Sequence, residues 1–276
     1  MSSTIGVLAE YLRARRGQLT PDEVGLVHDP RRRVRGLRRS EVAELAGISV
    51  QYYTRLEQGR TRQPSEIVLA GLVRALALDD HAAEYFYRLA LPVPPVTRAA
   101  APGVVADDLT RLVGLWPDLP VVLYDRNQDV VLSNDLAHAL LPTCVVAGSN
   151  AVETVVGVPA EGRGLEGWKN LARQAVAALR FHSDPTDPRL HEIVGALSIR
   201  DADFRRLWAD HQARPLESGR APVLVDGVGF GEIPWQTLEV PGGYFLVVYL
   251  AIPGEFSGVA IGHLRDIEGS HVGLAA

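Results

Sequence analysis

The chain has 276 residues, of which 47% are hydrophobic and 22% charged, a composition typical of a globular protein with room for two domains. Its one cysteine, Cys144, excludes a disulfide framework and fits a reducing compartment. The first residues lack the basic start and apolar block of a secretory signal, and apolar runs such as Tyr244–Ile252 are too short to cross a bilayer. We therefore expect a cytoplasmic protein that does not enter the membrane.

The net charge of −5 conceals a difference between the two parts of the chain. Residues 1–90 carry 14 arginines and 11 acidic residues, whereas residues 91–276 carry 14 basic and 22 acidic residues. Arginine is the side chain best suited to bind phosphates and base edges. A small arginine-rich domain followed by a larger acidic one is therefore compatible with a DNA-binding protein that carries a regulatory domain.

Helical patterns fill the first 90 residues, and a proline-rich segment ends them. The prolines at 92, 94, 95 and 102 cannot belong to a regular helix, so they predict a semi-rigid linker. We predict four segments: an all-α bundle at 1–91, a linker at 92–106, a second domain at 107–255 and a flexible glycine-rich tail at 256–276. The five predicted helices of the bundle are Thr4–Arg15, Glu41–Ala46, Val50–Gln58, Pro64–Leu76 and Asp79–Leu91.

The most informative stretch is a short helix, a turn and a second helix between residues 39 and 63. Ser40 is a good N-cap for the first helix, and Gly47 can adopt the left-handed conformation that ends it. Ile48 is apolar within the turn, and Ser49 can cap the second helix. Tyr53 faces inward, so the pattern predicts a helix-turn-helix motif.

The outer face of the second helix carries side chains that can read bases. Glutamine can pair with adenine, arginine with guanine, and a threonine methyl can contact the methyl group of thymine. Further basic and amide side chains follow at once and are placed to bind phosphates beside the groove. The alternative, a helical hairpin whose polar face only meets water, is weaker because caps, turn and flanking arginines occur together. The predicted DNA-contact residues of this stretch are Arg39, Ser49, Gln51, Tyr52, Thr54, Arg55, Arg60, Arg62 and Gln63.

A cluster of arginines precedes the first helix of the motif. Arg31, Arg32 and Arg33 belong to it, and in such motifs the first helix crosses the DNA backbone. We predict that these three residues bind phosphates. Two other interpretations remain open: a solvated loop, or a docking surface for the acidic second domain.

The second part of the chain mixes helices and strands, which predicts an α+β domain. Its amphipathic helices and short strands can enclose an apolar cavity. Asn134 or Asp135 can cap the short helix after the first hairpin. The predicted elements are strands at Val121–Asp125, Asp129–Ser133, Trp235–Val240 and Tyr244–Ala251, and helices at Trp168–Arg180, Asp187–Leu197 and Asp201–His211.

The sequence contains no pattern typical of an enzyme, and we predict neither a cofactor nor a metal. Residues 162–167 match GxGxxG, but a dinucleotide site needs a strand directly before the first glycine, and Pro159 lies in the way. The histidines form no metal-binding spacing with Cys144, and that thiol has no evident base. An enzyme built on this loop is therefore the most distant hypothesis.

Segments in both parts of the chain match a known family pattern: Arg33 with Gly36–Arg39, Glu41–Ala43, Ala46–Ser49, Tyr52–Tyr53, Arg55–Arg60, Asn134–Ala137, the helix from Trp168 to Arg180, Phe204–Trp208, Leu246–Tyr249 and Pro253–Gly254. In these segments the chain resembles the MmyB-like transcription regulators, which have an Xre-type helix-turn-helix. The resemblance implies a PAS-like second domain, an antiparallel sheet with helices on one face, and long-chain fatty acids as ligands. The chain departs from the family pattern between residues 147 and 167, where small and apolar residues replace basic and aromatic ones, and between 221 and 232, which lacks a His-Pro pair.

The sequence therefore predicts that the second domain senses a ligand, and most of the candidate ligand-binding residues are aromatic. Each aromatic could instead belong to the core, and Asn134 could be only a helix cap. Arg180 could bind a ligand carboxylate or complement the end of its helix. We predict a transcription regulator that binds a palindromic DNA site as a homodimer. In the alternative hypothesis the second domain serves only as a dimerisation or docking platform. The ligand candidates are Tyr124, Asn134, Trp168, Arg180, Phe181, Trp208, Trp235 and Tyr249.

Overall fold

The computed structural model describes residues 4–27, 32, 34–61, 63–91, 104–159, 161–164 and 166–273. The chain divides into two compact units. The first contains the described residues up to 91 together with 184–198 and 202–215. The second contains residues 104–183, 199–201 and those from 216 onward.

The first unit begins with the five predicted helices, which the structure confirms to within a few residues at each end. A short 3-10 turn at Asp22–Val24 lies between the first two. The helices are α1 Thr4–Gln18, α2 Arg39–Ala46, α3 Val50–Glu57, α4 Glu66–Ala75 and α5 Asp80–Ala90.

Aromatic side chains fill the core of this bundle. The rings of Tyr11 on α1 and Tyr85 on α5 meet edge to face with centroids 5.3 Å apart, and both side chains are buried. The Tyr11 hydroxyl donates to the Ala82 carbonyl at 3.3 Å, which satisfies its polar atom inside the core. Gly71 on α4 lies where a side chain would collide with the carbonyl of Ala46, so α2 and α4 pack closely. The core thus fixes α2 against the rest of the bundle.

Two helices that were predicted for the second domain belong largely to the first unit. They are α10, Pro188–Arg200, and α11, Ala202–Ala209. The segment after α11 is joined to the bundle, because the Gln18 amide donates to the Asp210 carbonyl at 2.6 Å and Arg214 pairs with Asp79. The predicted continuous domain at 107–255 therefore differs from the observed grouping, since an amphipathic pattern shows which face is buried but not which core buries it.

The second unit is an α+β domain with an antiparallel sheet, as predicted, and the sheet has five strands where the sequence indicated four. The strand order is β2-β1-β5-β4-β3. Its strands are β1 Val121–Tyr124, β2 Val130–Ser133, β3 Ser218–Val225, β4 Gly229–Val240 and β5 Tyr244–Tyr249. Its helices are α6 Val104–Gly114, α7 Asp135–Leu140, α8 Ala151–Val156, α9 Glu166–His182 and α12 Phe256–Gly273.

Side chains along the central strands point alternately to the two faces of the sheet, so the core of this unit consists of two clusters. On β5, Val247 and Tyr249 face one cluster, whereas Leu246 and Val248 face the other. Helices α7 and α12 contribute to the first cluster and α6 to the second. The expectation of helices on one face only was therefore wrong, because α6 covers the opposite face.

The segment predicted as a flexible tail is instead helical over most of its length. Ala260, Ile261 and Leu264 of α12 are buried in the first cluster of the sheet. The glycines of this segment lower its intrinsic helix propensity, but the burial of one apolar face compensates for them. Strand β3 was also missed, because its sequence contains Gly219 and Pro222, which are rare within strands.

Candidate functional site

The turn between α2 and α3 has the predicted geometry. Gly47 adopts a left-handed φ of +70°, and the Ile48 N–H donates to the Ala43 carbonyl at 2.9 Å. Ser49 caps α3, since its hydroxyl oxygen accepts from the Tyr52 N–H at 3.1 Å. The prediction for Ser40 was wrong. Helix α2 begins two residues earlier than predicted, at Arg39, with Arg38 as its N-cap.

Helix α3 presents a polar face to solvent and an apolar face to the core. Gln51 and Arg55 are exposed, while Tyr52 and Thr54 are half-buried. The Thr54 hydroxyl donates to the Val50 carbonyl at 2.7 Å, which leaves its methyl group as the contact to offer a base. Tyr53, on the opposite face, is fully buried. This face can enter a major groove with its N-terminal residues foremost.

The basic residues around α3 divide into those that the structure describes and those that it does not. Arg60 and Gln63 are exposed beyond the end of the helix. Arg31, Arg33 and Arg62 lie outside the described residues, so their predicted phosphate contacts stay predictions.

A buried carboxylate joins α1, α2 and α3, and this contact was not predicted. The Glu57 side chain is 0% exposed, with Arg16 Nε at 2.5 Å from Oε1 and Arg39 Nε at 2.6 Å from Oε2. Burial raises the pKa of Glu57, but the hydrogen bonds from Arg16 and Arg39 outweigh it and hold the pKa below its ordinary value. Arg39, predicted as a DNA contact, thus also orients the motif. An acid at the end of a helix within a basic stretch is the sequence signal that could have indicated this role.

Arg32 is placed differently from the exposed arginines. Its side chain is 7% exposed, and its two terminal nitrogens bind the Glu41 carboxylate at 2.6 and 2.7 Å. The same guanidinium donates to the carbonyls of Val34 and Gly36. These contacts favour a structural role for Arg32 in front of α2, not the predicted phosphate contact.

The second unit contains an apolar cavity of about 170 Å³ beside the sheet. Four of the eight predicted ligand residues line it: Tyr124, Trp168, Trp235 and Tyr249. The remaining described lining residues come from the sheet, α8, α9 and the connecting loops, and they are Gln128, Leu141, Cys144, Ala151, Thr154, Val155, Val158, Leu171, Ala175, Leu216, Ala221, Pro222 and Val247.

Two tyrosine hydroxyls supply polar atoms in this apolar lining. Tyr124 of β1 and Tyr249 of β5 are buried, and both line the cavity. Burial raises the pKa of both phenols above the ordinary value, so both stay protonated at neutral pH. Gln128 also lines the cavity, and its amide nitrogen donates to the Ala175 carbonyl at 2.8 Å.

One wall of the cavity is held in place by an arginine that the sequence did not indicate. The Trp168 indole N–H donates to the Val155 carbonyl at 2.7 Å, which ties α9 to α8. The Arg163 guanidinium lies over the Trp168 ring, donates to the Val158 carbonyl at 2.8 Å and pairs with Asp201 at 2.6 Å. The wall is thus built from fixed polar contacts behind an apolar surface.

The other four predicted ligand residues do not line this cavity among the residues described. Asn134 caps α7, because its side-chain oxygen accepts from the Ala137 N–H at 3.0 Å. Arg180 is buried within α9, and the Phe181 ring contacts the His182 ring. Trp208 stacks on Phe204 in the first unit. Sequence position gave no information on which side of its helix each residue would face relative to the cavity.

The structure removes the support for a dinucleotide site at the glycine-rich loop. The run before it, Ala151–Val156, forms helix α8 and not the strand that such a site requires. Within the described ranges, no cluster of three or more His, Cys, Asp or Glu side chains could hold a metal ion. None of the helices described is long and apolar enough to span a bilayer.

Two known families match successive parts of the chain, and the later match includes α10 and α11, which lie largely in the first unit. The helix-turn-helix domain family matches residues 7–86. The MmyB-like transcription regulator ligand binding domain family matches residues 105–261, more than half of the chain. No curated protein matches the chain. With a DNA-binding motif in its first unit and this ligand-binding domain behind it, the chain belongs to the MmyB-like transcription regulators.

Proposed function

We propose that the protein binds a palindromic operator as a homodimer, and that a fatty-acid-like apolar ligand in the cavity of the second unit changes its affinity for DNA. The observation that carries this proposal is the cavity itself, which is lined by apolar and aromatic side chains within the part of the chain matched by a ligand-binding family. An apolar ligand can act there only if it binds two conformations with different affinity.

The exposed face of α3 supports the DNA half of the proposal. Gln51 and Arg55 project from it beside Arg60, and one copy of so small a motif reads only a few base pairs. Two copies related by a two-fold axis would contact half-sites about 34 Å apart, or a multiple of that spacing. A footprint with two-fold symmetry is expected, and protection of a single asymmetric half-site would contradict the homodimer.

The apolar lining of the cavity supports the part of the proposal that concerns the ligand. Burial of an acyl chain stabilises a complex by about 0.8 kcal/mol per methylene, so a chain of moderate length can bind without many polar contacts. Because apolar burial alone is enough for such binding, affinity for lipid is not sufficient evidence that the lipid changes DNA binding. The decisive quantity is the coupling free energy between ligand and DNA, expected to be about 1–3 kcal/mol.

The experiment measures operator affinity of the full chain with and without myristate, at fixed salt and below the micelle threshold. The operator is first selected from random DNA, and ligand retained through purification is identified by mass spectrometry after denaturing extraction. The double variant Trp168→Ala with Val158→Phe, which alters the cavity lining, should lose the coupling and keep basal DNA binding. Val259→Phe, an equally bulky change at an exposed position on α12, should keep both.

One observation favours the docking-platform alternative. Leu224 and Phe230 are paired across β3 and β4 and are 69% and 58% exposed, which makes an apolar patch at the edge of the sheet. If this patch forms the dimer, Leu224→Ser with Phe230→Ser should give a monomer that binds the palindrome weakly. If acyl chains of every length leave DNA affinity unchanged and no ligand is retained, this alternative replaces the sensing proposal.

A further inference from the structure

The α11 segment, residues 202–215, lies in the first unit, although the residues directly before and after it lie in the second. At its C-terminal end, Leu216 lines the cavity, and the Leu216 N–H donates to Nε2 of His182 on α9 at 3.0 Å. At its N-terminal end, Asp201 is buried and pairs with Arg163 at 2.6 Å. Both ends of the segment are therefore fixed to the part of the chain that forms the cavity.

The ion pair at Asp201 is attached to the cavity wall itself. The Arg163 guanidinium donates to the Val158 carbonyl at 2.8 Å and lies over the Trp168 ring, and both Val158 and Trp168 line the cavity. The Asp201 side chain is only 9% exposed, and separation of a buried ion pair leaves a charge without its partner. A ligand that displaces this wall is therefore expected to move Asp201 with it.

The far end of the α11 segment is held by the helical bundle. The Gln18 amide at the end of α1 donates to the Asp210 carbonyl at 2.6 Å, and Arg214 pairs with Asp79, the N-cap of α5. The side chains of Arg214 and Asp79 are both about half exposed, and exposed ion pairs are weak. This attachment can therefore open and re-form more easily than the ion pair at Asp201.

Helix α1 connects the same attachment to the DNA-binding motif. Arg16, two residues before Gln18, binds the buried carboxylate of Glu57 on α3. The other oxygen of that carboxylate binds Arg39 of α2. A shift at the end of α1 therefore acts on the ion pairs that hold α2 and α3 together.

We propose that the α11 segment transmits occupancy of the cavity to the DNA-binding motif. A ligand that moves the wall at Trp168 shifts the segment through Arg163 and Asp201, and the segment then changes its hold on α1 and α5. The attached and released arrangements are the two conformations between which a ligand can discriminate. The inference rests on the proposed function, because it requires a ligand that changes DNA affinity, and it names the part of the chain that carries the change.

The test measures operator affinity of the full chain with and without myristate, at fixed salt and below the micelle threshold. In the wild type the two affinities are expected to differ about 5- to 150-fold. The double variant Gln18→Ala with Arg214→Gln removes both attachments to the bundle and leaves the cavity lining unaltered. It should still bind myristate, and its two operator affinities should agree to within about twofold.

A matched control lies inside the same segment. Arg206 pairs with Asp203 one turn before it on α11, so this ion pair begins and ends within the segment. Arg206→Gln removes the same charge as Arg214→Gln and leaves both attachments to the bundle in place. It should keep the wild-type ratio of operator affinities.

Hydrogen exchange of the backbone amides gives a second measurement on the unaltered protein. Saturation with myristate should change the exchange of amides in the α11 segment, at the end of α1 and at the start of α5. In the double variant the change should remain in the α11 segment and be lost from α1 and α5, because the attachments that carry it are missing.

A double variant that binds myristate and keeps the wild-type ratio would overturn the inference and leave the proposed function standing. Exchange in the α11 segment that does not respond to bound myristate would overturn it as well. A wild-type protein whose operator affinity is the same with and without bound myristate would contradict the proposed function, and the inference with it. Thermal melting identifies a variant that fails to fold, and hydrogen exchange on the wild type then decides the matter alone.

Discussion

Arg39 Nε on the first turn of α2 lies 2.6 Å from Glu57 Oε2 at the end of α3. Arg16 of α1 binds the other oxygen of the same carboxylate, so three helices of the DNA-binding motif meet at one buried anion. The angle between α2 and α3 decides whether the polar face of α3 can enter a groove while α2 crosses the backbone. This ion-pair cluster therefore links the stability of the motif to its capacity to bind DNA.

Replacement of Glu57 by glutamine should destabilise the first unit. Two arginines would face each other without an anion between them, and the loss is expected to be about 1–3 kcal/mol, because Arg39 is half exposed and solvent screens part of the interaction. Urea unfolding, followed by circular dichroism, measures the difference. Glu44→Gln, an exposed change on α2, should have almost no effect.

The stability that Glu57 provides should depend on pH in a defined direction. Its pKa in the folded protein lies below the ordinary 4.5, so the contribution is fully present above that pH and is lost as the pH falls through the folded value. The difference in unfolding free energy between the wild type and Glu57→Gln should therefore shrink below about pH 4.5. A difference that stays constant down to pH 3 would contradict the ion-pair interpretation.

The arginines near the motif should separate into two classes. Arg60→Ala should lower the slope of log K against log salt by about 0.9, because one exposed phosphate contact is lost. Arg32→Ala should leave this slope unchanged and lower the melting temperature, since Arg32 binds Glu41 and two carbonyls. Arg173→Ala, an exposed arginine of α9, controls for net charge. An Arg60 variant with the wild-type slope would exclude it as a phosphate contact.

Gln51 should contribute to base preference and not to general affinity. Its exposed side chain stands at the start of α3, where recognition helices contact base edges. Gln51→Ala should cost about 1–3 kcal/mol on the best operator and much less on random DNA. Binding to a panel of single-base operator variants measures the preference, with Gln236→Ala on β4 as control. Equal losses on operator and random DNA would show that Gln51 does not read bases.

Two glycines should respond in opposite directions to the same substitution. A Cβ at Gly71 would lie 2.5 Å from the Ala46 carbonyl oxygen, so Gly71→Ala should push α4 away from α2 and destabilise the unit by about 1–3 kcal/mol. Gly195 lies within α10 with nothing within 4 Å of the same position. Gly195→Ala should stabilise the protein by up to about 1 kcal/mol. Chemical denaturation tests both, and a stabilising Gly71→Ala would show that α2 and α4 are less closely packed.

Local rules were sufficient to predict the elements of the DNA-binding motif. A left-handed glycine at 47 and a capping serine at 49 require only a few neighbouring residues, and the structure has both where the sequence placed them. Short runs of β-favouring residues likewise predicted β1 and β5. Tyr124 and Tyr249 of these strands, both predicted as ligand residues, line the cavity, and their contact with a ligand stays a prediction.

Contacts between distant parts of the chain were decided only by the tertiary structure. Glu57 binds arginines 41 and 18 residues away because helix packing brings them together, and Tyr124 and Tyr249 line one cavity because β1 and β5 are neighbours in the sheet. Helix α12 forms despite its glycines because the sheet buries its apolar face, and α10 and α11 join a unit that their sequence position did not indicate. Periodicity in a sequence specifies which face of an element is apolar, but the surface that covers that face depends on the arrangement of the whole chain.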